Sequence, residues 1–273
     1  MKWINSIENP LVKTILKIKK NPVDRTLIEG LNLLKTAIEA LSLQKDNPFY
    51  NIEQILVTEE FIRKEKSFFN LINRKNYLIV GISERIAEKI SDTITPQGVF
   101  GVLSFQIRNL KDINVNNPEV VVILDKIQDP GNLGTIIRAS EALGANFIIL
   151  TPGTCNSHLT KVLRASAGSI FYIPIVKADY IEIEKFIVRN NLNLIIAEPK
   201  SEKFIFDVNF SKPSVVVFGN ESQGVSGDLR KIPHISCRIP HMGQSESLNV
   251  AISAAIFLYE ILRSKTKKSI QSK

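Results

Sequence analysis

Four short apolar runs limit what the second half of this chain can become. Val120–Leu124 and Val215–Phe218 contain no polar residue, while Asn146–Leu150 and Leu192–Ala197 contain a single Asn each. A strand with one face in water alternates apolar and polar residues; one without alternation is covered on both faces. Helical stretches separate the runs, at Leu133–Leu143, His158–Gly168 and Ile181–Arg189, the first closed by Gly144 as a C′ residue. Runs of this kind alternating with helices imply an α/β fold around a mostly parallel sheet. Ligands of such sheets sit beyond the carboxyl ends of the strands, so the loops that follow the runs are where chemistry is expected.

The first half is also α/β. Helices are expected over Glu8–Lys20, Ile28–Leu43, Glu59–Arg74 and Ser83–Ile90, and strands over Ile52–Val57, Tyr77–Val80 and Val99–Phe105. Gln106–Glu119 holds four Asn and one Pro and reads as a linker. The expected division is a smaller domain over 1–106, a linker over 107–118 and a larger domain over 119–273.

With 273 residues, 44% of them hydrophobic, the chain can bury a full core. Its net charge of +8 divides evenly on either side of Leu110. Lys13, Lys17, Lys19 and Lys20 lie close together, and Arg263–Lys273 holds five bases and no acid. Both features favour a polyanionic partner, although a basic tail also serves as a solubilising end. The first ten residues show no secretory pattern, and Ser253 and Glu260 interrupt the longest apolar run; a soluble, cytoplasmic protein is expected. Cys155 and Cys237 have no metal spacing and read as free thiols, and no metal is expected. The G-x-G-x-x-G, G-x4-G-K-[ST] and G-x-S-x-G signatures are absent.

Three loops collect unusual residues. Gly131-Asn132-Leu133-Gly134 runs into Arg138, whose guanidinium suits phosphate or carboxylate but equally suits a surface ion pair. Gly219-Asn220-Glu221-Ser222-Gln223-Gly224 follows the run at Val215. His241–Asn249 is polar apart from Met242 and Leu248 and precedes a helix that is apolar nearly all round. Such a helix belongs in a core or against another chain. Ser247 reads either as a site residue or as that helix's N-cap.

Together, NLGTIIR (Asn132–Arg138), VVFGNESQG (Val216–Gly224) and IPHMGQSESLNVAISAAI (Ile239–Ile256) resemble the three motifs of the SpoU-type (TrmH-like) RNA ribose 2′-O-methyltransferases. KVLRASAGSIFYIPI (Lys161–Ile175) is similar to a stretch between the first two motifs. IEGLNLL (Ile28–Leu34) and TPQGVFGV (Thr95–Val102) resemble the substrate-binding domain of many members, a small ribosomal-protein-like fold. The resemblance implies a parallel sheet with a deep trefoil knot, S-adenosylmethionine as cofactor, an RNA substrate with ribosomal RNA favoured over transfer RNA, and a homodimer. It also implies cofactor contacts at Gly219, Asn220, Ile239, Met242, Leu248 and the Thr151 and Ala197 loops, and functional polar roles for Asn132, Arg138, Glu221, Ser247 and Asn249.

The implied reaction is in-line attack of a ribose 2′-oxygen on the sulfonium methyl carbon. Members are thought to use the arginine as base. Guanidinium groups keep their proton to above about pH 12, so a phosphate clamp that also steadies developing oxyanion charge is the more conservative reading. The rivals are a non-catalytic RNA-binding relative and an α/β enzyme acting on a small acidic metabolite.

Overall fold

The structure is a computed structural model and describes residues 1–44, 48–106, 108–113 and 117–271, with the side chains of 267–271 excepted. Residues 272–273 of the basic tail, with the side chains of 267–271, and Ile107 and 114–116 of the expected linker therefore lie outside the described residues. The chain divides into two compact units, Met1–Gln106 with His158–Arg164, and Ile107–Ser157 with Ala165–Lys273.

The first unit contains β1 (Lys2–Ile4), α1 (Pro10–Lys20), β2 (Arg25–Glu29), α2 (Leu31–Leu43), β3 (Tyr50–Val57), α3 (Glu59–Lys64), α4 (Lys66–Arg74), β4 (Ile79–Ile82), α5 (Glu84–Ile90) and β5 (Val99–Phe105). Its sheet is mixed, in the order β1-β4-β3-β5-β2, with β2 and β3 antiparallel to β5. Val12 and Ile15 of α1 join Leu27, Leu56, Val80, Ile86 and Phe100 in one core. The helix expected from Ile28 begins only at Leu31. Thr26, Leu27 and Ile28 are fully buried opposite β5, and Gly30 breaks the chain at φ +98° before α2 starts. The helix expected over Glu59–Arg74 is two helices, because Glu65 leaves helical geometry at φ −111°, ψ 46°. Strand β1 was not expected.

The second unit contains β6 (Val120–Asp125), α6 (Pro130–Ala142), β7 (Phe147–Leu150), α7 (Thr160–Ala165, its first five residues grouped with the first unit), β8 (Ile175–Lys177), α8 (Tyr180–Arg189), β9 (Asn193–Ala197), β10 (Ser214–Gly219), α9 (Gly227–Arg230), β11 (Ile235–Cys237) and α10 (Val250–Gln271). All pairings in its sheet are parallel, in the order β11-β9-β10-β6-β7-β8. Every residue of β6 and β7 is buried, as the unbroken apolar runs require. The chain steps from β6 out to β8 on one side and returns to β9 and β10 on the other. Direction therefore reverses beside β6, and in folds of this kind ligands bind beyond the carboxyl ends of the strands at such a point, here β6 and β10.

The loop expected over Asp129–Asn132 is already helix. Asp129 caps α6 by accepting from the Asn132 N–H at 2.8 Å, and Pro130 occupies the first turn, where its missing N–H costs nothing. Gly144 closes this helix at φ +81° as expected. Within the linker stretch, Leu110 is buried in the second unit's core. Helix α10 buries Ala251, Ala254, Phe257, Leu258 and Ile261, but leaves Ile252, Tyr259 and Leu262 exposed along one side.

Candidate active site

The parallel sheet brings the loops after β9, β10, β6 and β7 to one edge, side by side. Polar contacts among the loops tie them together, and Ile127 and Val225 anchor two of them by burial. Lys126, the residue after β6, sits in the left-handed region at φ +57°. Its N–H donates to Thr151 Oγ1 at 3.1 Å, and its carbonyl accepts from Asn220 Nδ2 at 2.9 Å. A non-glycine residue held this way stores strain, as happens where a site needs a fixed backbone.

The loop after β10 is closed at its neck. Asn220 and Gly224 exchange both backbone hydrogen bonds, at 3.0 and 2.9 Å. The Asn220 side chain then accepts from the Ser222 and Gln223 N–H groups. Gly219 is required by contact: a Cβ there would lie 2.4 Å from Gly224 C and Val225 N. Arg230 donates from Nε to Val225 O at 3.0 Å and pairs through Nη1 with Glu198 at 2.8 Å, which links this loop to the one after β9.

Three residues distant in sequence meet across these loops. The Ala251 and Ile252 N–H groups donate to Asn249 Oδ1 at 2.8 and 3.3 Å. Asn249 Nδ2 donates to Asn132 Oδ1 at 3.0 Å, and Asn132 Nδ2 donates to Glu221 Oε1 at 2.8 Å. All donors point the same way, from the start of α10 to a carboxylate. The helix N–H groups demand an oxygen from Asn249, which fixes both amide orientations. Asn249, not Ser247, thus caps α10; the Ser247 carbonyl instead accepts from Ser245 Oγ. Arg138 is exposed on α6 and has no hydrogen-bond or ion-pair partner among the described residues, so it is not the surface ion pair that its position also allowed. Gly134, on the same helix, is buried.

The remaining candidates are placed less closely. Thr151 is buried, at 3% exposure, and Ala197 and Ile239 are half-buried. Met242 and Leu248 are exposed, the former completely. Asp125, at the end of β6, is fully buried and accepts three hydrogen bonds; an Asp closing an apolar run reads simply as a strand end, so no signal along the chain marks it. A separate cleft in the first unit is lined by Asn32, Thr58, Phe61 and Gln97, but also by Glu60, Glu65 and Glu84, which repel phosphate. Among the described residues no cluster could hold a metal ion, and no helix is long and apolar enough to cross a membrane.

The model of the SpoU rRNA Methylase family matches residues 119–259, which include all three loops. The chain belongs to the SpoU rRNA methylase family. In this SpoU protein, residues 27–106 also match the model described as RNA 2′-O ribose methyltransferase substrate binding. It is 30% identical to an uncharacterised tRNA/rRNA methyltransferase of Synechocystis, covering 95% of this chain and 93% of the relative. It is 28% identical to the 23S rRNA (guanosine(2553)-2′-O)-methyltransferase of Bacillus subtilis, covering 96% and 99%. Its structure is similar to an rRNA methyltransferase from Sinorhizobium meliloti, with TM-score 0.82, 29% identity and coverage of 96% and 97%. The AdoMet-bound form of that enzyme matches with TM-score 0.80.

Proposed function

We propose that this protein transfers a methyl group from S-adenosylmethionine to a ribose 2′-hydroxyl of ribosomal RNA, within the large-subunit 23S-type molecule. The observation that carries this reading is the Asn249–Asn132–Glu221 chain, which joins the three loops of the SpoU family at the open edge of the sheet. Support for the cofactor comes from the similar AdoMet-bound enzyme, and for the substrate from the relative that acts on 23S rRNA.

The cofactor supplies an electrophilic methyl carbon, so the protein has mainly to orient the reactants and manage a proton. The bed for it is formed by the backbones of Gly219, Asn220, Ile239 and Leu248, with Met242 and the Thr151 and Ala197 loops around it. The bare Cα of Gly219 and the tightly closed neck beside it suit close backbone approach. In this reading Arg138 clamps the phosphate next to the target ribose and stabilises the developing 2′-oxyanion. Its exposed guanidinium, free of any described partner, is available for that. Asn132 and Glu221 orient the sugar, while Asn249 and Ser247 shape the third loop.

The exposed stripe of Ile252, Tyr259 and Leu262 on α10 supports a homodimer, since one apolar helix side pairs naturally with its own copy about a two-fold axis. The trefoil knot, the ribosomal-protein-like character of the first domain and a cytoplasmic location belong to the same reading.

Arg138→Ala tests it. Methyl transfer to ribosomal RNA should fall by more than about a hundredfold, the range seen when an oxyanion donor is removed, with cofactor affinity unchanged. Turnover at the wild-type rate refutes the assignment. Comparing ribose-methylated positions in RNA from cells with and without the gene identifies the target nucleotide and separates ribosomal from transfer RNA.

A further inference from the structure

Asp125 has no part in the reaction as derived above, yet it is a fully buried carboxylate at the edge where the loops meet. Its Oδ1 accepts from Thr151 Oγ1 at 2.8 Å and from Tyr180 OH at 3.0 Å. Its Oδ2 accepts from the Ser226 N–H at 2.7 Å. Each donor belongs to a different segment: Thr151 follows β7, Tyr180 opens α8, and Ser226 follows the closed loop after β10. The neighbouring Lys126 adds a second tie, with its N–H on Thr151 and its carbonyl holding Asn220. The strand end at 125–126 thus grips from one side the loop carrying Thr151, and from the other both ends of the loop carrying Asn220 and Glu221.

A buried carboxylate is costly unless its oxygens are occupied, and here donors on opposite sides occupy them. A neutral side chain of the same shape replaces it only in part. An amide has one acceptor oxygen: with that oxygen on the Ser226 N–H, its NH2 faces the two hydroxyls, which can accept from it but must turn their own protons elsewhere. The Thr151 hydroxyl could turn to Leu124 O, at 3.4 Å, but the Tyr180 hydroxyl would lose its acceptor.

We infer that Asp125 is a positioning residue for the cofactor: its two carboxylate oxygens set the distance between the Thr151 loop and the Asn220–Ser226 loop at which the methyl donor fits. This rests on the reading that S-adenosylmethionine binds between those loops. Asp125 touches neither reactant and acts through the loops alone.

The test measures S-adenosylmethionine affinity by calorimetry on folded wild-type protein, Asp125→Asn and Tyr180→Phe, together with steady-state kinetics on ribosomal RNA. Asp125→Asn should weaken cofactor binding by about tenfold or more, the equivalent of one hydrogen bond to a charged group. Tyr180→Phe, which removes one donor of three but leaves the carboxylate held by Thr151 and Ser226, should weaken it by a smaller factor, about threefold, because the two remaining bonds keep both loops tied. The KM for RNA should change less than the cofactor affinity in both, because Arg138 on α6 keeps its place and only Glu221 shares the displaced loop. A purely structural role would lower the melting temperature and leave the affinity of the folded fraction intact. Wild-type affinity in folded Asp125→Asn overturns the inference, as does wild-type affinity in Tyr180→Phe should Asp125→Asn fail to fold. If the wild-type protein itself binds no S-adenosylmethionine, the proposed function fails first and this inference with it.

Discussion

Replacing Gly219 by Ala adds one methyl group where the backbone has no room for it. The new Cβ would lie 2.4 Å from Gly224 C and Val225 N and 2.5 Å from Gly224 O. Carbon atoms in contact sit about 3.5 Å or more apart, so the two sides of the loop neck must separate by about 1 Å. The atoms in the way are backbone, and no rotamer change relieves them. The two backbone hydrogen bonds between Asn220 and Gly224, at 3.0 and 2.9 Å, close the neck. An ångström of separation removes both, at about 0.5–1.5 kcal/mol each. Glu221 lies one residue beyond the neck and should lose its 2.8 Å contact with Asn132. The combined loss of about 1–3 kcal/mol corresponds to a roughly 5- to 150-fold weaker affinity for S-adenosylmethionine, read by calorimetry, with a matching loss of stability in urea. Gly227→Ala is the control, because a Cβ at Gly227 meets nothing within 4 Å. Wild-type affinity and stability in Gly219→Ala would refute the argument that the neck must stay closed.

Asn249→Asp keeps an oxygen for the α10 N–H groups but cannot donate to Asn132; urea unfolding should shift little while methyl transfer falls sharply, whereas Asn249→Ala should also lose about 1 kcal/mol of cap. Cys237 is fully buried, and burial pushes its thiol up to about 12; with a thiol reagent at pH 8 the half-buried Cys155 should label first, and Cys237 only on unfolding. Asp92 loses some hydration, but the Lys19 ammonium at 2.7 Å prevails and holds its carboxyl below the usual range. Its contribution to stability should be present above an unfolded-state pKa of about 4 and vanish as pH falls through the lower folded value. The urea midpoints of wild type and Asp92→Asn should therefore differ at pH 7 and converge towards pH 3.

The parallel sheet was legible because full burial leaves a plain mark: Val120–Leu124 and Val215–Phe218 lack any polar residue, and both became central strands. Strand β2 was not, because Leu27 and Ile28 run straight into the apolar spacing of α2, and only the positive φ at Gly30 separates them. The start of α6 was displaced because Asp-Pro serves both turns and helix caps. That the segments of Asn132, Glu221 and Asn249 come together was expected from resemblance alone; Glu221 and Asn249 lie 89 and 117 residues from Asn132 along the chain, and no periodicity relates them. Asp125 was overlooked for the opposite reason, since one acid after five apolar residues looks like the end of a strand and nothing more. The last helix was expected to be buried in a core or against another chain; in the single chain, the side carrying Ile252, Tyr259 and Leu262 is exposed.

The central claim is that the three joined loops direct a methyl group to a sugar oxygen of ribosomal RNA. The direct test incubates the protein with ribosomal RNA and S-adenosylmethionine carrying a labelled methyl group, then hydrolyses the RNA in alkali. A 2′-O-methyl group blocks cleavage at its own phosphodiester, because that hydroxyl is the internal nucleophile. The label is predicted in alkali-resistant dinucleotides, and it should be absent when Arg138→Ala replaces the wild type. Label released in mononucleotides, which marks a methylated base, or no label in the RNA at all, would contradict the account.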